Sequence, residues 1–175
     1  MTDSVRELDL IHDRAAIEAI DTGFETDVIF DVVRAPRAIE LVERALGDVR
    51  TTRYEIGEVF APWRRWERGW VAGDEAVSGF ATVQFEPWHE RLVLWFLYVD
   101  RAARGRGLGR ALLARVEEHG REVGASHVWL ETSNVNVPGV RTYEHLGYGL
   151  CGADALHYGS YMPGESAIYL AKPLG

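Results

Sequence analysis

The sequence predicts an α+β (mixed α/β) fold. Hairpin-like pairs of β-rich segments come first, and a strand–helix–strand–helix–strand order follows. Between them lies one continuous apolar run, Leu92–Val99, as expected of a central strand buried on both faces. At 175 residues the chain is expected to form one domain spanning 1–175. With 47% apolar and 26% charged residues, it can bury a core without metal or disulfide staples.

Taken in order, Val5–Ile11 reads as a short strand leading into a helix around His12–Ile20. Thr26–Arg34 is rich in β-branched residues and reads as a strand, whereas Ala38–Leu46 fits helix or strand equally well. Trp66–Ala72 and Ala76–Phe85 flank Gly73-Asp74-Glu75, a hairpin signal. After Leu92–Val99 comes a glycine-rich turn, then Leu108, Leu112 and Val116 at helical spacing, with Gly124 as a C-terminal cap. His127–Glu131 is a short strand. Asn136-Val137-Pro138 opens a helix to Leu146, with Asn136 at the N-cap and Gly147 as its stop. Tyr148–Leu150 and Ser166–Ala171 close the chain as strands.

Nineteen basic against twenty-seven acidic residues give −8, which argues against a binder of nucleic-acid backbones. A single cysteine, Cys151, excludes an internal disulfide framework, and the six histidines show no metal-ligand spacing. The eight-residue run Leu92–Val99 falls short of the roughly twenty a membrane helix needs. Asp3, Glu7 and Asp9 precede any apolar stretch, which is unlike a signal peptide. The expectation is a cytoplasmic protein with no metal, no nucleic acid and no membrane as partner. Five arginines and one acid give residues 100–115 a charge of +4, leaving −12 for the rest. That division suits local binding of one anion by a chain that otherwise attracts cations.

The stretch Val99-Asp100-Arg101-Ala102-Ala103-Arg104-Gly105-Arg106-Gly107-Leu108-Gly109-Arg110 sets alternating glycines between a buried strand and a helix start. Backbone N–H groups can converge there on an anion, aided by the helix dipole. A P-loop is excluded, because no Lys-Ser or Lys-Thr follows the glycines. A dinucleotide turn lacks its third glycine, although Glu131 lies about twenty residues on.

Arg104, Gly107 and Gly109 form R-x-x-G-x-G, which resembles the acyl-CoA-binding motif of the GNAT N-acetyltransferases. A second block, Leu130–Tyr148, is similar to the family segment running from a strand-end glutamate to a helix tyrosine. Glu131–Pro138, residues 147–158, Ala19–Phe24 and the Ala-Ile-Tyr-Leu near residue 170 look like the streptothricin acetyltransferase branch. The resemblance implies the GNAT fold: a central, mostly antiparallel sheet splayed between two strands and flanked by helices. It also implies acetyl-CoA as cosubstrate, bound through Leu97, Tyr98, Val99, Arg104, Gly105, Arg106, Gly107, Leu108, Gly109, Arg110 and Asn136. In the family a bulge near the end of the strand carrying Leu97–Val99 frees a backbone N–H for the acetyl carbonyl.

The implied reaction is transfer of an acetyl group to a primary amine of a small cationic acceptor, by direct attack in a ternary complex. Such an amine, with a pKa near 10.4, is about 0.1% neutral at pH 7.4, a deficit of roughly 4 kcal/mol. Glu131 stands where the family accepts the proton, with Glu58, Glu86 and Glu90 as rivals. Tyr143 stands where the family protonates the departing thiolate. Asn136 is either a plain N-cap or a contact to the pantetheine arm. Asp154 and Tyr158 match a D-x-x-x-Y of the branch, and His157 replaces its usual leucine. Trp63, Trp66, Trp70 and Trp88 either line an acceptor pocket or belong to the core. Acetylation of protein N-termini or lysines, and a non-catalytic acyl-CoA-binding module, stay open as alternatives, as does a homodimer.

Overall fold

In the computed structural model, which describes residues 5–74 and 76–175, strands β1 (Val5–Glu7), β4 (Arg68–Ala72), β5 (Gly79–Glu86) and β6 (Arg91–Val99) pair antiparallel in that order. Glu75 and Asp3 lie outside the described residues. Alternation along β4 sends Trp70 and Val71 to opposite faces. Trp70 meets α2 (Leu108–Glu122), its ring 5.3 Å from that of His119, and Arg115 stacks over the same indole. On the other face, Val71 and Phe80 join Ile17 and Ile20, around α1 (Arg14–Glu18), with Ile56, Val59 and Trp66. Trp70, Phe80, Leu108, Leu112 and Leu113 are fully buried, each contributing about 2 kcal/mol of apolar transfer free energy. These strands, α1 and α2 make one compact unit, Met1–Gly23, Arg53–Val128 and Pro173–Gly175.

Phe24–Thr52 and Trp129–Lys172 make a second unit. Its hairpin joins β2 (Phe24–Ala35) to β3 (Ala38–Thr52) through Pro36-Arg37, so the stretch that fitted helix or strand is strand. Strands β7 (His127–Ser133), β9 (Ala167–Pro173) and β8 (Gly149–Asp154) lie side by side, with β8 antiparallel to β9. Helix α3 (Val137–His145) packs on β2. Buried Asn134 fastens this unit: its amide donates to the Phe30 carbonyl and accepts the Ser166 N–H, both at 2.8 Å.

Both long helices end as the glycines foretold. Gly124 at φ 79° and Gly147 at φ 92° occupy the left-handed region. The N–H groups of Ala125 and Tyr148 then reach back to the carbonyls of Gly120 and Tyr143 in paired Schellman closures.

Two expectations needed correction, and one open alternative was decided. β5 begins at Gly79, three residues later than the sequence indicates, because the β4–β5 ladder stops at Ala72↔Gly79. β6 is not buried on both faces along its length. Leu92–Leu94 are buried, but Trp95 is a bulge with no partner between Leu94↔Val83 and Phe96↔Thr82, and Phe96–Val99 stay half-buried. The tryptophans divide: Trp66 and Trp70 are core, whereas Trp63 and Trp88 are 75% and 91% exposed.

Asp13, buried at the entry to α1, receives both terminal nitrogens of Arg6 at 2.6 and 2.7 Å and the Asp9 N–H at 2.8 Å. The Arg6 hydrogen bonds hold its carboxyl below the usual carboxylate range. Its stabilising contribution is therefore full above the unfolded-state pKa and is lost as pH falls through the lower folded value. Asp13→Ala is expected to cost about 2 kcal/mol in urea unfolding at pH 7, and less at pH values low enough to protonate the wild-type carboxylate.

Candidate active site

The glycine-rich turn leaves β6 at Val99 and enters α2 at Leu108. Asp100 organises its start. One carboxylate oxygen caps the Ala102 N–H at 2.9 Å and the other takes the Asp21 N–H at 3.0 Å. The Arg101 N–H returns a bond to the Asp21 carbonyl at 3.0 Å. Arg104 then donates to the carbonyls of Val99, Gly23 and, more weakly, Asp21, at 3.1, 2.7 and 3.4 Å. Its side chain is thus a brace, and what it has left for a ligand is its backbone N–H. Desolvation lowers the Arg104 pKa from its ordinary value. The side chain's hydrogen bonds go to neutral carbonyls, and the carboxylates of Asp21 and Asp100 answer part of its charge through space.

Gly105 and Gly107 sit at φ 78° and 91°, and a Cβ added at either would meet nothing within 4 Å. The turn requires glycine for its backbone, and the space beside it is open. Gly107 is the left-handed N-cap of α2, so the N–H groups of Leu108, Gly109 and Arg110 have no intrahelical acceptor. Gly109 has an ordinary φ, and a Cβ there would find only Val99 Cγ2 at 3.8 Å. Arg106 is drawn aside to Asp74 at 3.0 Å. This open cradle of N–H groups at a helix N-terminus fits a diphosphate. Leu97, Tyr98 and Val99 pair in register with Ala81, Phe80 and Gly79, so the observed bulge, at Trp95, falls before them and not among them.

The second unit holds Glu131, Tyr143 and Asn136. Glu131 lies near the end of β7, half-buried, and accepts a hydrogen bond from the Tyr158 hydroxyl. His157 Nε2 stands 3.8 Å from its other oxygen, and His157 Nδ1 lies 3.2 Å from the Tyr169 hydroxyl. Trp129, two residues before Glu131 on β7, places its ring 5.2 Å from that of Tyr169. His157, Tyr169 and Trp129 were not foreseen in this site. Each had a signal in the sequence: His157 lies in the D-x-x-x-Y segment beside Tyr158, Tyr169 in the Ala-Ile-Tyr-Leu run, and Trp129 stands i, i+2 to Glu131 along a strand.

Asn136 caps α3, accepting the Gly139 N–H at 3.1 Å and donating to Thr132 Oγ1 at 3.0 Å. Gly139 is required by that cap, since a Cβ there would fall 2.3 Å from the Asn136 amide nitrogen. Tyr143 is half-buried, its ring edge-on to buried Tyr148 at 5.7 Å. Its carbonyl accepts the N–H groups of Leu146 and Tyr148 at 3.0 Å, which fixes the residue at the end of α3. Asp154 receives the Leu156 N–H at 2.8 Å, shaping the loop that carries Tyr158. Of the rival carboxylates, Glu58 is exposed on a short 3-10 turn. Glu86 is bound by Arg91 at 2.6 Å, and Glu90 is exposed at the end of β6 remote from the glycine turn.

Burial pushes the Glu131 carboxyl above its usual range, against the opposing pull of the Tyr158 hydrogen bond and His157. Its contribution to stability is therefore complete below the unfolded-state pKa of about 4.3 and is lost as pH rises through the higher folded value. A carbon-13 NMR titration of Glu131 is expected to show that raised midpoint. Tyr158→Phe removes a bond to the charged form and is expected to move it higher still; a downward movement would contradict this account.

The acetyltransferase (GNAT) family model matches residues 35–148. The chain is 32% identical over 170 residues to a streptothricin acetyltransferase of Streptomyces lavendulae, covering 92% of this chain and 90% of that one. The crystal structure of a nourseothricin acetyltransferase superimposes with a TM-score of 0.88 at 32% identity, covering both chains completely. A structure from Bacillus anthracis, solved with acetyl coenzyme A, shares the fold at 24% identity and a TM-score of 0.83, covering 99% of each chain. With the glycine cradle and the α+β architecture, these likenesses establish that the chain belongs to the GNAT family of acetyltransferases, enzymes that acylate amines.

Proposed function

We propose that this protein transfers the acetyl group of acetyl-CoA to a primary amine of a small cationic molecule, a streptothricin-like antibiotic or a lysine-like amine. The observation that carries the reading is Glu131, a carboxylate drawn out of water, with an elevated pKa, on the strand that leads into α3. An ammonium ion arriving there is attracted by the carboxylate and finds in it a proton acceptor, the route by which the roughly 4 kcal/mol deficit of neutral amine is met. Glu131 takes the ammonium proton and passes it to solvent, and the neutral nitrogen attacks the thioester carbonyl. As the C–S bond breaks, the second nitrogen proton goes to the departing thiolate, which takes a strengthening hydrogen bond from Tyr143. The turn Arg104–Arg110 holds the diphosphate through backbone N–H groups, and the Leu97–Val99 backbone and Asn136 serve the pantetheine arm. The acceptor is a small molecule, with no role for nucleic acid or membrane. The place of action is the cytoplasm, where acetyl-CoA is available. We also read residues 1–175 as a single catalytic domain, supported by the interleaving of both units along the chain.

The direct test has two stages. At about 100 times its dissociation constant, acetyl-CoA is expected to add roughly 2.7 kcal/mol and raise the unfolding midpoint by about 5–10 °C. CoA release is then measured with streptothricin, lysine and polyamines. A raised midpoint with no release over that panel would leave only an acyl-CoA-binding module, and no rise would remove the glycine-turn assignment. Tyr143→Phe is expected to lower kcat roughly 100-fold with little change in the acetyl-CoA KM.

The two kinds of glycine in the turn separate fold from binding. Gly109→Ala is expected to leave the melting midpoint within about 1 °C while raising the acetyl-CoA KM tenfold or more. Gly107→Ala is expected to cost about 1 kcal/mol of stability, because alanine resists the left-handed backbone.

A further inference from the structure

The β2–β3 ribbon raises a question that acetyl transfer does not answer. β3 runs for 15 residues and is exposed at nearly every position, with Ile39 40%, Val42 42% and Val49 64% exposed. The far edge of β2 is engaged, since the Phe30 N–H donates to the Asn134 carbonyl at 3.0 Å. The outer edge of β3 pairs with no strand among the described residues. A long open edge carrying apolar side chains is a template for another strand.

The order of residues on β3 indicates which strand. Two copies of one strand, pairing antiparallel about a twofold axis normal to the sheet, keep the same face up. Facing positions must then sum to an even number, so one residue lies opposite itself. Centring on Glu40, Glu43 or Arg44 sets like charges face to face. Centring on Leu41 leaves Glu43 against Ile39 and Arg44 against Ala38. Centring on Val42 also leaves an apolar residue against a charge, Leu41 against Glu43, but it alone sets Glu40 against Arg44 twice over, with Val42 against its twin, Ile39 against Ala45 and Ala38 against Leu46. Arg44 already holds Asp31 on the same face at 2.7 Å, leaving further N–H groups for a second carboxylate, and Glu40 has no partner among the described residues. At the other end, left-handed Gly47 and the register break between Thr26 and Val28 bound the straight ladder.

We infer that β3 is the interface of a homodimer, formed by its antiparallel pairing with β3 of a second copy, centred on Val42. The interface is independent of the acetyl-transfer chemistry.

Sedimentation velocity across roughly 1–100 µM tests it. Wild type is expected to sediment at twice its 19.7 kDa, and Val42→Lys, which sets two ammonium groups against each other on the axis, at the single mass. Cross-linking tests the register without relying on that variant. In a Cys151→Ser background, Val42→Cys is expected to give a disulfide-linked dimer under mild oxidation. Glu43→Cys, on the opposite face and off the axis, is expected to give none. A wild type that stays monomeric overturns the inference. So does a dimer that survives Val42→Lys and does not cross-link through Val42→Cys.

Discussion

The turn between β6 and α2 keeps its shape because Arg104 reaches out of it to three backbone carbonyls, while Asp100 ties the same turn to residue 21. A guanidinium answered by carbonyls satisfies its hydrogen bonds without a bonded ion pair, Asp21 and Asp100 acting on it only through space, and residues 100–115 together keep a charge of +4. The turn is therefore rigid and positive at once. With Gly105 and Gly107 supplying the backbone conformation, its N–H groups stand ready before any ligand arrives, so little reorganisation opposes anion binding.

The second unit solves a different problem, holding carboxylates where water is scarce. Glu165 is buried, but Arg50 and Ser133 both donate to it, so its charge is answered from two sides. Glu131 has a weaker settlement: one phenol, a histidine at 3.8 Å, and an elevated pKa. The contrast divides the roles. Glu165 fastens the end of β7 to the ribbon, whereas Glu131 retains an appetite for a proton that a fully paired carboxylate would lack.

Much of this was legible in local sequence, because local physics decides it. The glycines at 105, 107, 124 and 147 were marked by spacing alone, and each adopts the left-handed backbone that only glycine takes cheaply. Asn136 was readable as a cap, and the GNAT motifs located the cradle. What could not be read depends on residues far apart in the chain. Arg50 meets Glu165 across 115 positions, and Tyr158 meets Glu131 across 27. The bulge at Trp95 appears only once β5 supplies the register, and the fate of each tryptophan depends on which element covers it. Composition marks these residues as apolar or charged, but packing alone assigns their partners.

Leu174 belongs to the first unit although the chain reaches it only after completing the second. Its N–H bonds the Ser126 carbonyl at 2.9 Å, and its side chain fills the notch that Gly120 leaves on α2. During synthesis the first unit therefore waits with that notch open until nearly fifty further residues have emerged after Ser126. Folding cannot proceed as one half followed by the other. The chain must close a long loop late, a contact between distant segments that is slow to form.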